Sequence, residues 1–85
     1  MASVEEVKAQ VAQACQQAGQ GQAGLNQAHQ EVEQAKAMFQ QAMEGSQHGD
    51  EAAALFDRVL ELIHEAQEAL NAAIQAAESA AQALG

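Results

Sequence analysis

The stretch Gly19-Gln20-Gly21-Gln22-Ala23-Gly24 has the G-x-G-x-x-G spacing that wraps a dinucleotide pyrophosphate, with an acid, Glu44, near the position of a ribose contact. Its reading decides the fold. Dinucleotide binding requires the glycines to follow a strand and open a helix within a βαβ unit. The residues before them, Val7 to Ala18 (VKAQVAQACQQA), are rich in Ala, Gln and Lys, which favour helix, and 85 residues leave no room for a second βα unit. The apolar spacing also keeps its phase from Ala18 through Gly21 to Leu25, which a loop has no reason to preserve. The glycines therefore read as part of one continuous or kinked helix and not as a nucleotide loop, with a break here into a three-helix protein as the rival reading. With Gly21 on the apolar seam and Gly24 beside it, they are expected to form a close helix contact with Ala18, Ala73 and Ile74. Each glycine weakens the helix by about 0.8–1 kcal/mol, which that contact would have to offset.

Outward from this stretch the pattern is heptad. Ser3-Val4-Glu5-Glu6 has the form of a capping box and starts the helix. Val4, Val11, Ala18, Leu25, Val32 and Phe39 alternate with Val7, Ala14, Gly21, Ala28, Ala35 and Ala42 at steps of three and four. After Glu44-Gly45-Ser46-Gln47-His48-Gly49-Asp50 the spacing resumes, with Ala52, Phe56, Ile63, Leu70 and Ala77 alternating with Val59, Ala66, Ala73, Ala80 and Leu84. Gly45 suits a left-handed helix stop, and Asp50 an N-cap, with Ser46 as a competitor. The expected organisation is a single helical domain, 1–85: helix about 3–43, turn about 44–50, helix about 50–84. Folding the arms together sets Phe39 beside Phe56, Val32 beside Ile63, Leu25 beside Leu70, Ala18 beside Ala77 and Val11 beside Leu84. Large layers then meet large and small meet small. The fold class is all-α, an antiparallel two-helix hairpin with a heptad seam, expected to associate into a four-helix bundle or larger assembly. Each arm should run roughly 50–60 Å at about 1.5 Å per residue.

Composition bounds the function. A chain this short keeps a large share of its surface wet, which disfavours a large enzymatic cleft. Twelve acids against three bases give a net charge of -9, which repels nucleic-acid phosphates and anionic membranes; neither is expected as a partner. The N-terminal residues lack a basic segment followed by an apolar stretch, so the expected location is cytoplasmic, or exported without a cleavable signal peptide. The lone Cys15 cannot close an intrachain disulfide and fits a reducing compartment.

Chemistry-bearing residues are few. Glu61 and His64 have the Glu-x-x-His spacing of carboxylate-bridged di-metal bundles, for which Glu31 or Glu33 would supply a further ligand. With Val59 and Ile63 on the seam, both point to the solvated side. His29 and His48 have no metal-ligand spacing, and Cys15 reads as packing. Asp57, Glu61, Glu65 and Glu68 form an acidic outer stripe. No catalytic residue, metal site or cofactor is expected.

The apolar face widens near the turn, where Met38, Met43, Leu55, Leu60 and Leu62 join Phe39, Phe56, Val59 and Ile63. A two-helix contact covers only a narrow stripe, and uncovered Leu and Met side chains forfeit several kcal/mol at about 25 cal/mol per Å². These nine residues are the candidate partner-binding strip. The far end is dominated by Ala and Gly and should hold the arms weakly; Gln dominates the polar side of the first arm and suits lateral contacts.

An Ala- and Gln-rich, acid-leaning chain folded as a hairpin about a Gly-containing turn resembles the small Trp-x-Gly hairpin proteins of type VII (ESX) secretion. The turn, MEGSQHG (Met43–Gly49), carries Gly45 and Gly49 in place of Trp-x-Gly, and the chain has no Trp and no Tyr. The resemblance implies hairpin pairing and partner binding and transfers no functional residue. The expected function is a non-enzymatic helical interaction module that self-associates, as a homo-oligomer, or escorts a larger protein partner. The alternative is a structural subunit of a homopolymeric assembly. A coat on apolar granules would require the hairpin to open.

Overall fold

The computed structural model describes residues 2–85, which form two α-helices, α1 (Val4–Ala42) and α2 (Asp50–Gln82), packed antiparallel into a rod of 65 × 15 × 15 Å. Among the described residues there is no strand. Ser3 caps α1, its Oγ accepting from the Glu6 amide at 3.1 Å. α1 then runs through Gly19, Gly21 and Gly24 without interruption.

The chain reverses over seven residues. Gly45 has φ +83°, the left-handed region in which a Cβ is strained. At Gly49 an added Cβ would lie 3.2 Å from Phe39 Cε1 and 3.3 Å from Met43 Cβ, tighter than an ordinary contact, so the missing side chain eases the close passage of the returning chain under α1. This crowding corrects the expected cap. Gly49, not Asp50, is the N-cap of α2 and makes no side-chain cap bond, while Asp50 lies in the first turn. Ser46 does not cap either, because its Oγ accepts from the His48 amide at 3.1 Å and tightens the turn. Gly45→Ala is expected to destabilise the hairpin by about 1 kcal/mol; thermal unfolding followed by circular dichroism checks it, and an unchanged midpoint would mean that the turn tolerates a side chain there.

The arms meet at Phe39 and Phe56, with ring centroids 5.9 Å apart and planes tilted by 49°. Ala18 and Ala77 line one shallow groove toward the open end. Leu84 lies beyond the end of α2, and Val11 instead lines a groove with Ala81 and Gln82.

The contact face is rotated from the expected seam. Half-buried positions along the first arm include Val11, Ala18, Leu25, Val32 and Phe39 as expected, but they alternate with Cys15, Gln22, His29, Lys36 and, just past the end of α1, Met43. Ala14, Gly21, Ala35 and Ala42 are exposed; of that row only Val7 and Ala28 are half-buried. α2 shifts in the same sense: Phe56, Ile63, Leu70 and Ala77 alternate with Leu60, Gln67, Ile74 and Ala81, leaving Val59, Ala66, Ala73 and Ala80 exposed. The reason is bulk. Met43, Leu60 and Ile74 cover more area than Ala42, Val59 and Ala73, and the stems of Gln22 and Lys36 lie along the contact while their heads reach water. Polar groups then pair across the arms: Lys36 with Asp57, and Gln67 Nε2 donating to Asn26 Oδ1.

The glycine expectation also needs correcting. An added Cβ at Gly21 would meet only Leu70 Cδ2, at an ordinary 3.6 Å, and not Ala73 or Ile74; at Gly24 or Gly19 it would meet nothing within 4 Å. The arms do not need these glycines in order to approach.

Candidate functional site

The rotation of the contact divides the expected strip in two. Phe39, Met43, Phe56, Leu60 and Ile63 are half-buried between the arms. Met38 (71% exposed), Leu55 (60%), Leu62 (46%) and Val59 (41%) stand in solvent.

These four share one side of the rod. Each residue advances an α-helix by about 100°. On both arms the exposed row sits one residue before a contact position, and antiparallel right-handed helices carry such rows to the same side. Ala14 and Ala73, one from each arm, accordingly line a single groove with Ala18 and Ala77. The result is a largely apolar face, continuous along α2. On α2 it reads Ala52, Leu55, Val59, Leu62, Ala66, Ala69, Ala73, Ala76 and Ala80, a second heptad stripe with no polar member, of which all but Ala52 are exposed. On α1 it is flatter and mixed, with Ala14, Gly21, Gly24, Ala35, Met38 and Ala42 exposed in the same row as Gln10, Gln17 and Glu31. Ala52, Leu55, Phe56 and Val59 line an open depression of about 270 Å³ on this face. Of the expected close-contact set, Ala18, Ala73 and Ile74 line the groove nearer the open end, while Gly21 and Gly24 open onto the face.

The opposite side is polar. It carries Asn26, Glu33, Asp57, His64 and Glu78, and holds the Lys36–Asp57 and Gln67–Asn26 pairs. His29 and His64, 35 residues apart in the chain, line one open cleft there with Asn26, Gln30 and Gln67. Neither the spacing of the histidines nor their separation signals this meeting. Each is engaged along its own helix, His29 Nδ1 with Glu33 at 2.8 Å and His64 Nε2 with Glu68 at 2.9 Å. Glu61 is held by Arg58 at 3.2 Å. The Glu61–His64 pair thus faces away from the contact with other partners, and among the described residues no group of three or more His, Cys, Asp or Glu side chains is placed to hold a metal ion. Cys15 is half-buried in the contact itself, with Sγ 4.0 Å from the Ile74 carbonyl oxygen. His48 is exposed in the turn. Among the described residues no helix is long and apolar enough to cross a membrane.

No protein-family model, no curated protein and no solved structure matches the chain. The surfaces themselves carry the functional reading.

Proposed function

We propose that the protein is a non-enzymatic helical interaction module that self-associates, or escorts a protein partner, through the apolar face near its turn. One observation carries this reading: no described residue of the hairpin is buried, while Met38, Leu55, Val59 and Leu62 stand exposed along a single side. Covering a Val, Leu or Met side chain fully is worth about 1.5–3 kcal/mol, so a second helical layer over this face would contribute several kcal/mol that two arms alone do not. The acidic remainder of the surface keeps the face from indiscriminate association by like-charge repulsion. The likeness to the Trp-x-Gly hairpins of secretion supports pairing and partner binding in the same sense.

Absolute mass in solution, by size-exclusion chromatography with light scattering over a concentration series, tests the proposal. A fixed small multiple of the 8.9 kDa chain is expected. A fully helical monomer that melts cooperatively at high temperature without any partner would overturn it, because the face would then need no cover.

A second reading, the structural subunit, is favoured by a different feature. Gln13, Gln20, Gln27, Gln34 and Gln41 recur every seven residues, all exposed, along the side of α1 away from α2. Such an uncharged row both donates and accepts hydrogen bonds and could join copies laterally. Long regular particles in electron micrographs would favour it, and discrete small ones would exclude it.

A further inference from the structure

We infer that the occupant of the apolar face is a second copy of this chain, laid antiparallel so that the turn end of each rod covers the open end of the other. The inference rests on the interaction-module reading and adds its partner and arrangement.

Three observations point there. The first is size. The large members of the face, Met38, Leu55, Val59 and Leu62, lie in the turn-proximal half, whereas the open half presents only small ones, such as Ala14, Gly21, Ala73, Ala76 and Ala80. Two copies joined turn to turn would crowd large residues together and leave small facing small. Reversing one copy seats Val59 and Leu62 of each against the alanine-rich open end of the other's α2, with Leu55 at its tip, and the match repeats by two-fold symmetry.

The second is charge. Eight of the twelve acids lie between Glu31 and Glu65, around the turn, and no residue from Ala9 to Ala28 is charged. A turn-to-turn pair would align the two acidic ends; the reversed pair sets each beside the other copy's uncharged stretch.

The third is the glycines. Gly21 and Gly24 weaken α1 and the packing of the arms does not require them. Both open onto the apolar face. With two rods fully overlapped, the two-fold axis passes beside Gly24, near the middle of α1, and the two α1 helices cross there at Gly21, Gly24 and Ala28. Glycine at the crossing lets the backbones close together, which explains residues that the single hairpin does not. The available area is adequate: a face 65 Å long and 15 Å across offers about 1,000 Å² per copy, against about 800 Å² per partner in a standard interface.

The test uses the full chain carrying Cys15→Ala and His48→Cys, spin-labelled at the turn, with mass by light scattering and the label-to-label distance by pulsed electron spin resonance. The expected result is a dimer whose turns are separated by nearly the 65 Å length of the rod. A dimer with its labels within about 25 Å, the width of a side-by-side bundle, overturns the antiparallel arrangement while self-association stands. A monomer overturns the second copy as occupant, and the stability of that isolated hairpin then judges the module reading separately. Gly24→Leu supplies an independent check. It meets open space in the hairpin, so helix content should hold or rise while the dimer dissociation constant increases at least tenfold; unchanged dimerisation would overturn the glycine crossing.

Discussion

Replacing Leu55 and Leu62 together by Glu is expected to weaken self-association at least 100-fold while helix content at low concentration stays nearly unchanged. In the hairpin these side chains are 60% and 46% exposed, so the contact between the arms loses little when they change. In an interface the substitution removes two covered leucines, each worth about 1.5–3 kcal/mol, and adds two carboxylates that resist leaving water. A loss of about 2.7 kcal/mol already corresponds to 100-fold in dissociation constant. Sedimentation equilibrium and far-ultraviolet circular dichroism separate the two effects. Association that persists in the double variant would mean that the binding face lies elsewhere on the rod.

One residue further along, the expected outcome reverses. Phe56→Ala removes one ring of the Phe39–Phe56 pair, which joins the arms beside the turn. Complete burial of a Phe makes its truncation worth about 3–5 kcal/mol; half-burial brings the expectation to about 2–3 kcal/mol. For a chain of this size that is a fall of about 10–20 °C in melting temperature. Gly49, which packs against the Phe39 ring, would lose part of its contact as well. A melting temperature within about 2 °C of the parent would show that the arms are not joined at the rings. Leu55 and Phe56 are neighbours in the chain, yet one is assigned to the association face and the other to the hairpin, because about 100° of helix rotation separates them.

The same rotation explains what was legible in the sequence. Position by position along α2, two apolar residues stand side by side where one would mark a seam: Val59 and Leu60, Ala73 and Ile74, Ala80 and Ala81. Periodicity finds the stripe through Phe56, Ile63, Leu70 and Ala77 but is indifferent between its two flanks. On α1 it is misled, since Gly21 and Ala35 read as more apolar than the neighbours that pack, Gln22 and Lys36. The candidate strip near the turn was therefore visible as a surplus of large apolar residues, but its division into an inner and an outer set was not. The meeting of His29 with His64 in one cleft was likewise silent, because it depends on the register of two arms and not on local spacing.

By itself, then, the sequence determined the elements: two long helices from an unbroken heptad rhythm, a start at Ser3, a left-handed stop at Gly45, and glycines at 19–24 that keep helical phase. These are local choices, set by backbone propensity and capping within a few residues. Only the tertiary structure decided which face each helix turns inward and which it leaves open. That choice compares the area covered by Leu60, Ile74 and the stem of Lys36 with the area covered by Val59, Ala73 and Ala35, and the comparison exists only once a second helix lies alongside.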